Sequence, residues 1–480
     1  MGTPLPVHSV AVIGGGLSGT LFGLKLATAR PDYRVIVIEA TRRLGRGLAY
    51  GACTPRHLLN VPISRMEVGL APGFADWLTT NPAAQDELAA AIAESGGDLQ
   101  SVFMPRALFG AYLEERLEDA IITGPGPGLT VVRGEAIGLL ARPARGVRLS
   151  DGREIAADTI VLATGNLAPG APGGPDRWLY DSNAFVPDPW APDAFDGVAA
   201  DDPLLLLGTG LTTVDIVLKL GAAGHRGPIL ATSRRGLLPQ VHEAGGAWPA
   251  FLEAALPASP RALMRLVRAQ VAAAEAQGVP WQRVFDAARP AIPAVWGNWS
   301  IREKRQFLRH LRTRWDVHRH RMAQRIADAL QAEMGKGRLE VLAGRLRGYR
   351  RTVDGIEVTL APRAGGERRF TAARIVNCTG PRRDVGGLAI PLIADLRDQG
   401  LAIPDALGLG LETENCALLD SSHRPSTWLF ALGALTCPQW WEITAVPEIA
   451  VQVDRLVGQL ANPEAVQLSA GDFLDLGAGI

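Results

Sequence analysis

One feature constrains the fold more than any other: a buried strand, a glycine-rich turn and a helix follow one another twice. In the first copy the apolar run 10–13 leads into GGGLSG at 14–19 and a helical pattern over 20–29. In the second copy four leucines at 204–207 lead into GTGLTTVD at 208–215. Glycines at such a turn let a helix N-terminus approach a phosphate group. The duplication predicts an α/β fold with two Rossmann-type modules.

The first copy continues with a strand that ends in an acidic residue. Residues 34–38 form a second buried run, and Glu39 follows 20 residues after Gly19. An acid at this place accepts hydrogen bonds from ribose hydroxyls, which suits FAD as well as NAD. The expected dinucleotide contacts are Gly14, Gly16, Leu17, Ser18, Gly19 and Glu39.

The segment after Glu39 favours FAD. RRLGRGLAYG at 42–51 has the basic, flexible character of a loop that crosses the pyrophosphate, with Gly47 as a contact. HLLNVPISRM at 57–66 would bring Asn60 toward an isoalloxazine ring, and an ordinary surface loop stays open as the alternative. Further FAD contacts are expected at the ends of later strands, namely Thr164, Gly165 and Gly433.

The second module lacks the acid. Its next strand, 229–232, ends in Ser233, Arg234 and Arg235. An arginine there can clamp a 2′-phosphate, so NADPH is favoured, with NADH left open. Solvated surface charge is the alternative for both arginines. The expected NAD(P)H contacts are Gly208, Gly210, Thr212, Arg234 and Arg235.

Both modules end with the same succession of elements, a meander and then a buried strand. This layout predicts a discontinuous flavin domain. Segments 128–166 and 338–381 each indicate a β-meander followed by a buried strand that ends in Ala-Thr-Gly or Cys-Thr-Gly. Segment 428–457 indicates a strand ending at Gly433 and a helix from about Thr444, whose positive end would face the flavin. The predicted domains are an FAD-binding part at 1–185, an NAD(P)H-binding domain at 200–380, and the C-terminal FAD-binding part at 381–480.

A helical insertion is predicted at about 236–337. Apolar residues spaced by four and seven indicate one long amphipathic helix over 302–334. These residues are Phe307, Leu311, Trp315, Met322, Ile326 and Leu330. Basic residues on its other face indicate a solvated surface, with attraction of an anionic substrate as the alternative: Lys304, Arg305, Arg309, Arg312, Arg319, Arg321 and Arg325. No metal site is expected, because His310, His318 and His320 lack an acidic partner at ligand spacing.

Composition excludes several classes of partner. Lys plus Arg and Asp plus Glu both number 49, so the zero net charge argues against nucleic acid. The four cysteines form no C-x-x-C pair, which argues against a redox dithiol and suits a reducing cytoplasm. No apolar run approaches the ~18 residues of a membrane span, and the N-terminus lacks signal-peptide character. We expect a cytoplasmic protein, with homo-oligomerisation left open.

The motifs resemble those of a known group. RGLAYG, LNVPISRM, IVLATGN, FLRHLRTRWDVHRHRM and WWEITAVPEI resemble bacterial FAD/NAD(P)-binding oxidoreductases whose nucleotide-binding region is similar to that of flavin-dependent urate hydroxylase. More distantly, the layout is similar to the two-dinucleotide flavin monooxygenases that include the amine N-hydroxylases. Two features depart from such proteins: Gly433-Ala434 stands where many have Gly-Asp, and the FxGxxxHxxxW fingerprint is missing.

This resemblance implies a monooxygenase that uses NAD(P)H, O2 and FAD. A C4a-hydroperoxyflavin would hydroxylate a small molecule, with a urate-type purine as the first specific choice. Amine N-hydroxylation, marked by an acidic pocket, and electron transfer without oxygen insertion are the alternatives. Catalytic residues stay unassigned; the substrate-pocket candidates, for which core packing is the alternative role, are Asn60, Arg65, Trp440 and Trp441.

Overall fold

The computed structural model describes residues 7–98, 101–124, 128–141, 143–172, 177–252, 256–388 and 390–462. The ends of the predicted FAD-binding parts, 1–6 and 463–480, lie outside the described residues. Residues outside the described part also include 253–255 of the predicted insertion and 142 of the first meander.

The strands, in chain order, are β1 (Ser9–Ile13), β2 (Arg34–Glu39), β3 (Leu129–Arg133), β4 (Ala136–Leu140), β5 (Gly146–Leu149), β6 (Glu154–Ala156), β7 (Thr159–Leu162), β8 (Phe185–Val186), β9 (Leu204–Leu207), β10 (Ile229–Ser233), β11 (Leu339–Thr352), β12 (Gly355–Pro362), β13 (Arg368–Ala372), β14 (Arg374–Asn377), β15 (Thr413–Glu414), β16 (Ala417–Leu419) and β17 (Pro425–Ala431).

The helices are α1 (Leu17–Ala29), α2 (Gly47–Gly51), α3 (Phe74–Thr80), α4 (Pro82–Glu94), α5 (Arg106–Thr123), α6 (Leu211–Ala222), α7 (Pro260–Glu275), α8 (Trp281–Ala288), α9 (Ile292–Asn298), α10 (Ile301–His310), α11 (Arg312–Arg319), α12 (Gln324–Gly335), α13 (Pro391–Asp398) and α14 (Val446–Ala461). Short 3-10 turns occur at Ile63–Arg65, Arg289–Ala291 and Gly433–Thr436.

The first sheet has the strand order β15-β16-β17-β7-β1-β2-β3, and β17 through β3 run parallel. The central positions of its inner strands are all apolar because each face of the sheet carries a separate core. Val10 and Val12 face one cluster, whereas Ala11 and Ile13 face the other. This arrangement explains the uninterrupted apolar runs of the sequence. The small sheet β4-β5-β6 is the predicted first meander.

The second sheet repeats the plan with the order β13-β12-β11-β10-β9-β14-β8. The central strands β11, β10, β9 and β14 are parallel, and the far end of β11 continues into an antiparallel meander with β12 and β13. The predicted α/β class with two dinucleotide-binding modules is therefore confirmed, while the exact domain limits stay a prediction.

The prediction of one long helix over 302–334 is wrong. Three helices, α10, α11 and α12, replace it, with breaks at Leu311 and at 320–323. At the second break the Met322 N–H donates to the Gln240 carbonyl, as in a short strand pairing. The apolar spacing persists, but it serves two cores: Phe307 and Trp315 pack in one cluster, and the residues of α12 pack in another.

The predicted solvated basic face is also wrong in part. Arg319 and Arg321 are only 7% and 3% exposed, and each is ion-paired. Arg319 pairs with Glu442 and Glu448, and Arg321 pairs with Asp286. A buried guanidinium needs such partners because an unpaired charge is costly in a core. No described helix is long and apolar enough to span a membrane.

Candidate functional site

The first glycine turn contains two kinds of glycine. Gly14 has φ +107°, and a Cβ atom on it would lie 2.3 Å from the Ala163 carbonyl oxygen. A Cβ atom on Gly19 would lie 1.9 Å from the Gly14 carbonyl oxygen. A Cβ atom on Gly16, in contrast, would approach nothing closer than Gly47 at 3.4 Å. Protein packing therefore requires glycine at 14 and 19, whereas the free space at Gly16 is room for a ligand.

The N-terminus of α1 is suited to an anion. Gly16 is its N-cap and offers no side-chain cap, and the first turn, which contains Leu17 and Ser18, has no acid. Unpaired N–H groups at such a terminus attract negative charge. Gly47, at φ +50°, lies opposite Gly16 at the start of α2 and keeps the space open.

Glu39 ties the end of β2 to this turn. One carboxylate oxygen accepts from the Gly15 N–H at 2.7 Å, and the other accepts from the Thr41 N–H at 2.6 Å. An ionised carboxylate has about four acceptor sites, so it can also receive two ribose hydroxyls. The predicted acid is thus already oriented by the backbone.

Two later segments reach the same turn. The Thr164 hydroxyl, two residues after the end of β7, is buried without a hydrogen-bond partner, and Gly165 follows it at φ +71°. Gly433, at φ +69°, lies beside Ser18, since a Cβ atom on it would be 3.0 Å from the Ser18 Oγ. A buried hydroxyl without a protein partner suits a polar ligand.

The last strand and helix differ slightly from the prediction. β17 ends at Ala431, two residues before Gly433, and α14 begins at Val446 instead of Thr444. Glu448 already occupies the first turn of α14 and pairs with Arg289. Burial alone would raise the pKa of Glu448, but Arg289 and Arg319 lower it to about 2.

The second glycine turn repeats the first. Gly208 has φ +124°, and a Cβ atom on it would lie 2.2 Å from the Cys378 carbonyl oxygen, whereas one on Gly210 would meet nothing within 4 Å. Gly210 caps α6 without a side-chain bond or an acid in the first turn, where Thr212 is half-buried. In place of a third glycine, the buried Thr213 donates its hydroxyl to the Gly208 carbonyl at 2.8 Å. Sequence reasoning missed Thr213.

The two arginines after β10 differ in their contacts. Arg234 is exposed and makes no hydrogen bond or ion pair with the described residues. Arg235 donates to the His310 carbonyl at 3.2 Å and so holds the end of α10. Within the described chain, Arg234 is therefore free of polar protein contacts, whereas Arg235 is held through one nitrogen and keeps its other terminal nitrogen, Nη1, buried without a partner.

A buried ion pair, which sequence reasoning missed, joins the two modules. Arg106 at the start of α5 donates to both carboxylate oxygens of Asp215 in α6, and also to the Asn60 side-chain oxygen at 3.0 Å. The His57 ring hydrogen-bonds the Asp215 carbonyl at 2.8 Å. An acid at an apolar helix position was the available signal, because a buried carboxylate needs a cation. Asn60 therefore belongs to a link between modules.

The other substrate-pocket candidates make packing contacts. Arg65 pairs with Asp286 at 3.3 Å. Trp440 and Trp441 are 5% and 4% exposed, and Trp441 stacks on Trp296 at 4.6 Å. The described structure does not gather these candidates into one cavity, and their contacts match the packing alternative.

A buried polar cluster connects the insertion to the segment before α14. The Glu442 carboxylate accepts from the Trp315 indole N–H and, at 2.7 Å, from Arg319. Burial alone would lower the pKa of Arg319, but Glu442 and Glu448 raise it. No group of three or more metal-type ligands occurs among the residues described.

All four cysteines lie in described segments and are free thiols. Burial raises the pKa of Cys378 and of Cys416 to about 12 and also raises that of Cys437. Half-buried Cys53 has a pKa raised by burial as well. A thiol of high pKa is a poor nucleophile.

Sequence comparison gives one partial match. A family model described as FAD-NAD(P)-binding matches residues 11–167, which contain the first glycine turn, Glu39 and Thr164. Comparison with curated proteins finds no match.

Solved structures are similar over nearly the whole chain. An ornithine N-hydroxylase of Kutzneria sp. 744 has 15% identity and a TM-score of 0.64, covering 96% of this chain and 100% of its own. A cadaverine monooxygenase of Erwinia amylovora has 11% identity and a TM-score of 0.65. The match covers 97% of this chain and 96% of the monooxygenase. L-lysine 6-monooxygenase of Pseudomonas syringae has 16% identity and a TM-score of 0.61, covering 95% and 99%. The likeness concerns the fold alone; the three proteins named here are amine hydroxylases, and the expected resemblance to urate hydroxylase gains no support.

Proposed function

We propose that this chain is an FAD-dependent monooxygenase that uses NAD(P)H and hydroxylates a small-molecule amine. The observation that carries the proposal is the pair of glycine turns, each with an uncapped helix and an unhindered glycine, Gly16 or Gly210. A chain with two such turns can bind two dinucleotides at once.

The first turn would hold FAD. The N-terminus of α1 would face the pyrophosphate, with Gly16 and Gly47 leaving room for it, and Glu39 would accept the ribose hydroxyls. Thr164 would donate its otherwise unpartnered hydroxyl. When bound, the flavin supplies hydride acceptance and oxygen activation, while the protein orients the reactants and excludes water.

The second turn would hold the nicotinamide dinucleotide. Gly210 and the N-terminus of α6 would face its pyrophosphate, and Arg234 would contact a 2′-phosphate. The Arg106–Asp215 pair would keep α6 in a constant position relative to the flavin module. Each of these groups binds or orients, and none is needed for proton transfer.

An amine replaces urate as the first substrate to test because the similar structures are amine hydroxylases. An acidic pocket is the feature expected of an amine hydroxylase. The buried carboxylates Glu442 and Glu448 do not supply it, because they are paired with arginines. The substrate class therefore rests on the fold comparison. O2 is the second substrate, and the four free cysteines support the expected cytoplasmic location.

The test measures oxygen insertion. FAD-loaded protein should oxidise NADPH faster with ornithine, lysine or cadaverine, release less peroxide with the substrate than without it, and place one labelled atom from O2 in the product. Urate serves as the purine comparison. Anaerobic turnover with a protein acceptor and no labelled product would contradict the proposal and favour an electron-transfer reductase.

A further inference from the structure

The helical insertion contains a cleft of about 470 Å³ between α7, α8, α10 and α11. None of its lining residues belongs to either glycine turn. Its volume lies within the usual range for small-molecule pockets. The walls are mainly apolar and include Val267, Val271, Trp281, Phe285, Phe307 and Leu311.

Aromatic rings shape the open part of the cleft. Phe285 stacks on the His318 ring with centroids 5.4 Å apart, and Trp281 meets that ring edge-on at 4.9 Å. Nδ1 of His318 hydrogen-bonds the Arg314 carbonyl at 2.7 Å, which fixes the ring. These side chains are only half-buried, so a concave aromatic surface faces solvent. Concave apolar surface of this kind favours a ligand with an apolar body.

The rim carries positive charge without a protein partner. Arg268 and Arg314 line the cleft, are exposed, and make no ion pair within the described part of the chain. Nearby Arg319 and Arg321 are each paired. One described acid, Glu275, also lines the cleft, but it lies about 10 Å from Arg268 along α7. A ligand carboxylate would therefore be favoured at the arginines.

We infer that this cleft binds an amphipathic organic acid, with its carboxylate at Arg268 and Arg314 and its aryl or alkyl body against Trp281 and Phe285. This site is additional to the proposed monooxygenase site and involves no covalent step. Trp315 forms part of the cleft wall and donates to Glu442, so the ligand would contact the cluster that joins the insertion to the segment before α14.

Two probes with the same body and opposite charge test this inference. 4-Phenylbutyrate and 4-phenylbutylamine are titrated into the FAD-loaded full chain by calorimetry. The acid should bind at least tenfold more tightly than the amine. Arg268→Gln and Arg314→Gln should each weaken acid binding roughly tenfold, since each removes a charge-assisted contact. Equal binding of the amine, or acid binding that is unchanged in both variants, would overturn the inference.

A matched pair of variants locates the binding. Ala272→Trp fills the cleft from its exposed rim, whereas Ala273→Trp places the same side chain on α7 at an exposed position outside the lining. Only the first should abolish acid binding, and thermal unfolding checks that both variants fold. Full acid binding in folded Ala272→Trp would overturn the inference, as would no acid binding by the unmodified protein. The arginine variants decide the matter if Ala272→Trp does not fold.

Discussion

Arg106 donates to both carboxylate oxygens of Asp215, at 2.7 and 3.2 Å, and so joins α5 to α6. The two side chains are only 12% and 8% exposed. α6 begins at the second glycine turn, whereas α5 belongs to the module of the first. The pair therefore sets the position of one candidate dinucleotide site relative to the other.

Removing one partner of this link should affect stability and hydride transfer together. Arg106→Ala should lower the free energy of unfolding by about 3–5 kcal/mol, because it leaves a buried carboxylate unpaired. Flavin reduction by NADPH should slow by roughly tenfold to hundredfold, because a small displacement separates the reacting groups. Thermal unfolding and rapid-mixing absorbance measure the two effects. Arg226→Ala, which breaks an exposed pair with Asp201, is the control. Unchanged flavin reduction in folded Arg106→Ala would contradict this role.

The two unhindered glycines should separate the two cofactors. Gly16→Val should abolish FAD retention, and Gly210→Val should weaken NADPH binding while FAD content stays normal, because each side chain enters ligand space. Absorbance of the purified protein and NADPH titration measure these effects. Gly221→Val is the control for the second site, since Gly221 also has open space but lies near the far end of α6. Full retention of FAD by Gly16→Val would refute the first assignment.

The arginines after β10 should differ in cofactor discrimination. Arg234→Ala should lower the NADPH-to-NADH preference roughly tenfold to hundredfold, the effect of losing a charge-assisted phosphate contact of about 1.5–3 kcal/mol. Arg235→Ala should change this ratio much less, because Arg235 is engaged with the His310 carbonyl. Steady-state kinetics with NADPH and with NADH measures this ratio for each variant. A ratio that responds only to Arg235→Ala would reverse the assignment.

Stability should fall in acid through Glu448. Its pKa is lowered from 4.5 to about 2, so the carboxylate stabilises the fold above pH 4.5 and loses this contribution as pH falls toward 2. The shift corresponds to about 3 kcal/mol. Glu448→Gln should be less stable at pH 7 and should show a shallower loss of stability below pH 4.5. Denaturant unfolding at several pH values measures this, with Glu367→Gln as the exposed control. An unchanged slope in Glu448→Gln would contradict the prediction.

Local patterns predicted the strands and the glycine turns because each turn is encoded by adjacent residues. Gly14 and Gly208 adopt φ of +107° and +124°, which favours glycine, so both turns are visible in the sequence although the carbonyls that exclude a side chain, those of Ala163 and Cys378, are distant along the chain. The Arg106–Asp215 pair could not be predicted in the same way, since 109 residues separate its partners. Apolar spacing likewise could not show that Phe307 and Ile326 face different cores, because that depends on which surfaces the folded chain presents.

The insertion between β10 and β11 connects opposite ends of two neighbouring strands of the second sheet. Because β10 and β11 are parallel, the chain leaves at Ser233 and returns at Leu339, which pairs with Ile229 at the other end of β10, so the two points lie about 14 Å apart. A segment anchored in this way can change length with little entropic cost to the sheet. The part of the insertion before α12 could therefore be exchanged for a helical segment of another length while the strand pairing is retained, whereas α12 packs in the same core as β9 and α6 and belongs to the second module.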